Sequence, residues 1–507
     1  MSSKIQYFCS RISQKWVFAV MSFFSVLCMF AMRLCLPLTI PKMVKSIEHT
    51  TKHHDDACPG PNVTVTGVVH NNSSDIPNSV VYDWSEYTQG VILGSFYWGF
   101  VVSHVPGGIA AERYGGKHTL GLGLASTAIC TILTPLSVAW GGAIGLTLLR
   151  ILMGLCEGIT QPALSVMLSQ WVPVNERSKI STFVYMGAVC GILLISTGLG
   201  STIQLMDWQG VYYLFGGMSL VWYLLWLVLC YNSPREHPFI SEREARKLTA
   251  RLQEHTHVDP PPVPWRHLLG SAPFWALVAV TVGRDWYGLI LLTDLPKYTM
   301  SVLKYSADEN GLLYLVNHVA ILVACLLFSW LSDWLIERNY LSLTGVRKVM
   351  ASMGLGVSVT MALLMSYVGC DRLKFIVISS LFMFTSAAGL PGIKANVLDL
   401  SPNYAGTVMA ISHGLAGLCG IAGPYFVGVM VPNQTLSEWR LVYWTIFAVG
   451  MITNVIFVIF GSGEVQEWND PNFDRKNQEK DVEMKEIEKL MTTDKIIIVA
   501  EEKDFVN

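Results

Sequence analysis

Charge is what this chain has least of. Asp, Glu, Lys and Arg make up 14% of its 507 residues and hydrophobic residues 52%, whereas soluble globular domains carry roughly 25% charge. So much apolar surface cannot be hidden inside a water-soluble globule, which excludes a soluble fold and implies a polytopic membrane protein in a lipid bilayer. The net charge of −2 supplies no basic footprint for nucleic acid. No P-loop, HExxH or CxxC pattern occurs, and no nucleophile-base pair is visible, so nothing points to an enzyme, a resident cofactor or a metal. The eleven cysteines are scattered singly. Cys28, Cys130, Cys190, Cys325 and Cys419 sit in apolar runs, where cysteine behaves as a small hydrophobe, so no disulfide scaffold is implied. Cys58 and Cys370 alone fall in loops expected on the outer or lumenal side, and whether they are bridged stays open. The first apolar run lacks a small-residue cleavage site and is read as a retained anchor.

Long apolar runs are what the chain has instead. They lie near 16–38, 88–111, 118–140, 142–165, 180–203 and 210–231, and again near 273–296, 308–331, 346–368, 374–398, 405–430 and 438–461. Each matches the roughly 20 residues needed to cross a bilayer. The expected fold is an all-α membrane protein of twelve transmembrane helices in two six-helix halves. Residues 1–15 form a cytosolic N-terminus, 16–231 the first half with a polar loop at 42–87, 232–272 a cytosolic linker, 273–461 the second half and 462–507 a cytosolic tail. Arg113, Lys117, Arg177, Lys179, Arg338, Arg347 and Lys348 lie in the loops this topology turns inward, in keeping with the positive-inside bias. The sequons at Asn62, Asn71, Asn72 and Asn433 all fall on the opposite side, where glycosylation is possible. In the tail, the stretch through Leu490 and Met491 loosely resembles an acidic dileucine sorting signal.

The two halves share a short pattern. After the second run the chain reads Gly107-Gly-Ile-Ala-Ala-Glu112-Arg113-Tyr-Gly115-Gly-Lys117, and after the eighth Ser329-Trp-Leu-Ser-Asp333-Trp-Leu-Ile-Glu-Arg338. Both place an acid and a base in a tight inter-span turn, and the pattern is similar to the G-x-x-x-[DE]-R-x-G-[RK]-[RK] signature of the major facilitator superfamily, occurring once per half. The second copy lacks the glycines. The expected role is a latch: small residues allow close helix approach, and Glu112, Arg113, Asp333 and Arg338 pair across the two halves when the protein faces outward.

Charges inside the apolar runs carry the functional reading. Arg150 and Glu157 share one helix, two turns apart on one face, about 10 Å along the axis. A mid-bilayer charge costs at least about 2.5 kcal/mol and belongs in a bundle interior or wet cavity. In the resembled fold the first, fourth, seventh and tenth spans line the central cavity, and they carry Arg33, then Arg150 and Glu157, then Arg284 and Asp285, then Lys394. Four cations against two acids attract an anion, and guanidinium suits carboxylate or phosphate because it donates paired hydrogen bonds. Arg33, Arg150, Arg284 and Lys394 are therefore the candidate substrate-binding residues. Lys394 lies near the inner end of its span, within snorkelling reach of the interface. For Glu157 two readings stand: a proton-coupling carboxylate, or the permanent counter-charge of Arg150. His104, His318 and His413 are expected to hydrogen-bond between helices, with a proton relay as the competing reading.

Further pieces are similar to the anion-transporting branch of that superfamily, which contains sialin, the vesicular glutamate transporters and the type I sodium/phosphate cotransporters. They are Gln89 to Gly99 (QGVILGSFYWG), Pro106-Gly-Gly108, Arg150 to Gly158 (RILMGLCEG), Trp171 to Lys179 (WVPVNERSK), Val346-Arg-Lys348, Asn396 to Pro402 (NVLDLSP) and Gly463 to Trp468 (GEVQEW). The resemblance implies that Arg33, Arg150, Glu157 and Arg284 bind substrate or carry coupling, with a co-transported proton or sodium ion. It also implies residence in the plasma membrane or in lysosomal or vesicular membranes. The chain departs from the pattern at Leu93 and Val397, where histidines occur in the branch, at Lys394, which replaces a small polar residue, and at His318, which follows Asn317 where proline is common. Arg284 agrees with the glutamate-carrying members. The expected function is a monomeric secondary active transporter moving a small organic or inorganic anion (acidic sugar, glutamate-like carboxylate or phosphate) by alternating access. Sodium-dependent phosphate cotransport and a transport-inactive anion receptor are the competing readings.

Overall fold

The computed structural model describes residues 13–44, 82–173, 176–252, 263–305, 307–432, 435–470 and 473. Among these, ten stretches are long and apolar enough to cross a membrane. One of them, Gly116–Trp171, has 56 residues and doubles back at Gly142, whose φ of +53° is open to glycine at little steric cost. It therefore holds two crossings. Glu86–Tyr114 is more polar, but its 29 residues extend about 43 Å, longer than a bilayer's hydrocarbon core. The described residues thus form twelve long helical segments, a number that fits the expected one: α1 (Gln14–Met43), α2 (Glu86–Tyr114), α3 (116–141), α4 (143–171), α5 (177–206), α6 (Asp207–Leu229), α7 (Ala272–Ser301), α8 (Ala307–Glu337), α9 (Leu343–Met365), α10 (Arg372–Leu400), α11 (Ala405–Met430) and α12 (Leu436–Phe460).

Local chemistry explains several helix ends. Ser85, Ser342 and Asp371 cap α2, α9 and α10 by accepting from backbone N–H groups at 3.2, 3.1 and 3.1 Å, and Thr435 with Glu438 forms a capping box on α12. Two π turns, Met353–Val357 and Leu390–Lys394, widen α9 and α10, a feature frequent where a helix serves a site.

Both described chain ends and the linker meet at one end of the bundle, the terminal end. There α1 lacks a cap of its own. The carboxylate of Glu244, on the linker helix Glu242–Leu252, supplies one by accepting from Ser13 Oγ at 2.6 Å and from the N–H groups of Gln14 and Lys15 at 3.2 and 3.3 Å. Lys15 pairs with Glu176, and the Gln466 N–H reaches Leu400 O. The sequons at Asn62, Asn71, Asn72 and Asn433, the sorting-signal stretch and Cys58 lie outside the described residues. Cys370 is disulfide-bonded, and every other described cysteine is free, so its partner lies outside the described residues as well.

The halves meet where α2 packs on α11 and α5 on α8. Within the first half α2 and α4 approach until a Cβ on Gly154 would lie 2.0 Å from Phe96 O, so only glycine fits there. Gly154→Val must push the two helices apart. The expected loss is about 1–3 kcal/mol, read as a lowered melting temperature of the purified protein. Gly217→Val, with nothing within 4 Å, should leave that temperature unchanged.

Candidate functional site

The charged side chains of α1, α4, α7 and α10 are held by unlike means. Arg33 donates from Nε and Nη2 to Oε1 of Glu157 at 2.8 and 2.5 Å. Its guanidinium carbon stands 5.0, 5.0 and 4.9 Å from the ring centres of Phe30, Phe96 and Phe100, an aromatic cage suited to a weakly hydrated cation. Glu157 is fully buried, and its second oxygen, Oε2, has no hydrogen-bond partner. The acid's partner is therefore Arg33 of α1, not Arg150 of its own helix. The face-sharing spacing is real, but seven residues separate the two groups by about 10 Å, beyond ion-pairing reach, while α1 crosses alongside Glu157.

Arg150 is left with a carbonyl: Nη2 reaches Arg33 O at 3.5 Å, and the buried Nε has no partner. Arg284 pairs loosely with its neighbour Asp285 at 3.5 Å, with 26% and 23% of the two side chains accessible, and its Nε too is unpartnered. Lys394 is 7% exposed. Its ammonium donates to Gln161 Oε1 at 3.4 Å and lies 5.0 Å from the ring centre of Tyr185. Among the described residues no carboxylate lies within ion-pairing distance of Arg150 or Lys394. Two cations are thus matched by acids and two are not, which gives the bundle interior a surplus of positive charge and free N–H donors.

At the terminal end the two halves are bolted together. Asp399 of α10 accepts from Arg347 Nε at 2.6 Å and from Arg177 Nη1 at 3.1 Å. Arg347 Nη1 also donates to Ser178 Oγ at 2.8 Å and to Pro391 O at 2.9 Å, and Arg177 Nη1 to Leu398 O at 2.8 Å. Asp333 accepts from the Lys179 N–H at 3.0 Å. Glu112 accepts from the Thr407 N–H at 2.6 Å and from Thr407 Oγ1 at 2.7 Å. That places a carboxylate on the N-terminus of α11, where the helix dipole favours it. Small residues do permit the approach, since a Cβ on Gly108 would meet Gly406 O at 2.7 Å.

Of the four latch residues, the acids Glu112 and Asp333 reach the other half. Arg113 and Arg338 are exposed, Arg113 over its own neighbour Tyr114. The acids meet backbone and hydroxyl donors, not these bases. The bases that close this end are Arg177 and Arg347, whose positions the positive-inside bias alone would explain; the signal for their inward turn is an acid, Asp399, at the inner end of α10 with no local partner. The histidines bond locally: Nδ1 of His104 and of His318 to the carbonyls one turn back, Phe100 O at 3.2 Å and Tyr314 O at 2.7 Å, and Nδ1 of His413 to Ser412 Oγ at 3.3 Å. Trp98 faces outward, and Tyr287 bonds Gly354 O at 3.1 Å.

Residues 57–346 match the family model described as Major Facilitator Superfamily. The chain is similar to sialin of Homo sapiens, 32% identical over 462 residues that cover 90% of this chain and 91% of that one. It is similar also to a protein of Drosophila ananassae provisionally named an inorganic phosphate cotransporter, 31% identical over 456 residues, 88% of this chain and 92% of that one. A solved structure of a superfamily proton:xylose symporter, bound to 6-bromo-6-deoxy-D-glucose, superposes with a TM-score of 0.63 at 15% identity over 89% of this chain and 97% of that one, a likeness of fold.

Asp399 is the shared counter-ion of two arginines whose side chains are no more than 2% exposed. Asp399→Ala strands both, with an expected cost of about 3–5 kcal/mol, read as a fall in melting temperature of the purified protein. Replacing all three together (D399L, R177M, R347M) should recover most of it, because no buried charge is then left unpaired.

Proposed function

Because the chain belongs to the major facilitator superfamily, in the branch shared with sialin, we propose that this transporter moves a small organic or inorganic anion by alternating access, coupled to a proton or sodium ion. The observation that carries the reading is the charge balance: Arg150 and Lys394 are buried without a carboxylate, beside two pairs, Arg33 with Glu157 and Arg284 with Asp285. Uncompensated buried cations are costly, and a negatively charged passenger relieves that cost.

Glu157 is the coupling residue in this reading. Oε1 takes both Arg33 contacts while Oε2 is free, so a proton arriving at Oε2 removes the charge that holds the guanidinium. Arg33 then turns its paired donors to the anion. Anion and proton load together, because each is disfavoured at this site without the other. The terminal end, joined by Asp399, Glu112 and Asp333, is taken as the cytosolic end. Its contacts seal that side, so the opposite, outer side is the one from which an anion approaches Arg33 and Arg284. Plasma-membrane, lysosomal or vesicular residence, glycosylation on the outer side and action as a monomer belong to the same reading. The similarity to a protein named for phosphate cotransport keeps phosphate beside carboxylates among the anions to be tried.

Purified protein in proteoliposomes, under an imposed pH or sodium gradient and screened over sialate, glutamate, phosphate and urate, tests the proposal. One of these anions should accumulate with one gradient, and no accumulation of any would fail it. Glu157→Gln should abolish gradient-driven accumulation, by at least about tenfold, while anion exchange persists. Unchanged accumulation would remove Glu157 from the coupling role.

A further inference from the structure

Counted along each helix at 1.5 Å per residue, Arg150, Arg33, Glu157 and Arg284 stand about 31, 28, 21 and 18 Å from the terminal end. The Asp399 cluster lies within about 6 Å of it. A third set lies between them. Lys394 of α10, His413 of α11 and Tyr185 of α5 stand at about 9, 12 and 12 Å, and His104 of α2 and Gln161 of α4 at about 15 Å. Five helices from both halves thus bring polar groups to one level just above the seal.

These groups are neighbours. Lys394 holds Gln161 at 3.4 Å and the face of Tyr185 at 5.0 Å. His413 is within electrostatic range of Lys394, His104 and Arg284, and His104 of Lys394 and Arg33. A Cβ on Gly414, beside His413, would touch His104 Cβ at 3.3 Å. The nearest acid to act on Lys394 is Asp285, which faces Arg284.

We infer that Lys394, His104 and His413 form a second anion station, on the cytosolic side of the Arg33–Arg284 site, selective for an oxyanion that also carries a hydroxyl. Of the three Lys394 donors one is used. The buried Nε2 atoms of His104 and His413 have no partner. His104 Nδ1 faces a carbonyl, so it carries the hydrogen, and its Nε2 presents a lone pair that only a donor can satisfy. Dihydrogen phosphate, or a carboxylate bearing several hydroxyls, offers O⁻ to the ammonium and one O–H to each imidazole; a plain carboxylate offers the first alone. The station rests on the anion-transport reading and adds to it a filter placed where the passenger waits for the seal to open.

The experiment is histidine-selective ¹⁵N NMR of the purified full-length protein in nanodiscs at fixed pH, titrated with inorganic phosphate, gluconate and butyrate, with H104N and H413N identifying the signals. Phosphate or gluconate should shift the Nε2 resonances of both histidines, and butyrate should not. K394Q should raise the midpoint about tenfold, K394R should restore it, and R150Q, which removes the cation farthest from the terminal end, should leave it within about twofold. If K394Q does not fold, H413N read at His104 takes its place with the same expected weakening. The inference is overturned if the signals do not move, if butyrate moves them equally, if K394Q is silent, or if R150Q abolishes the shift as K394Q does, which means one site and not two. A protein that transports these anions with silent histidines loses the station alone; one that transports none loses the reading beneath it.

Discussion

The contact between Arg33 and Glu157 sets the terms for the rest of the bundle. Two opposite charges at mid-membrane depth are tolerable only if each satisfies the other with good geometry, since desolvation of an ion pair can exceed its Coulombic gain. Here the carboxylate spends one oxygen on two guanidinium nitrogens, three phenyl rings close over the cation, and the other oxygen is left bare. Such a pair is stable yet incomplete. It joins α1 to α4 within one half, so it can persist while the halves move, and its second carboxylate oxygen is an unsatisfied acceptor.

The terminal end uses the same chemistry to a different purpose. Asp399, Arg347 and Arg177 are as buried as the pair above, but they connect α10 and α9 of one half to α5 of the other. Glu112 extends the seam by capping α11 from the opposite half, doing for that helix what no residue of its own does. Glu244 plays the equivalent part for α1 from the linker. Helix ends left without local caps thus become the places where separate parts of the chain are held in register.

The spans were legible because hydropathy and length act locally, and the charges within them were legible because nothing else in an apolar run resembles Arg33 or Lys394. Which charge meets which was not legible. Arg150 and Glu157 share a helix face, yet two turns of helix keep them about 10 Å apart, and the contact goes to Arg33, 124 positions away. The same limit hid the seam. Arg177 and Arg347 satisfy the positive-inside bias as surface charges would, and only the packing of α5 and α9 against α10 turns them inward onto Asp399. Arg113 points to solvent because it follows Glu112 directly and consecutive helical residues face different ways, and Arg338, five residues past Asp333, lies just beyond the last residue of α8.

A seam built from a buried ionic triad has a consequence for alternation between states. An apolar seam would resist opening in proportion to the area exposed to water, and a wide one would lock the bundle shut. A triad recovers hydration when it parts, and calculations and measurements on buried pairs place that exchange near balance. Closed and open arrangements can then differ by only a few kcal/mol, the range in which a ligand's unequal affinity for the two states shifts the population. The Arg33–Glu157 pair lies within one half and does not bear this load. The Asp399 cluster does, and its buried but unpartnered Arg177 Nε and Arg347 Nη2 hold it short of full satisfaction, which brings the closed state nearer to the open one than a completed network would.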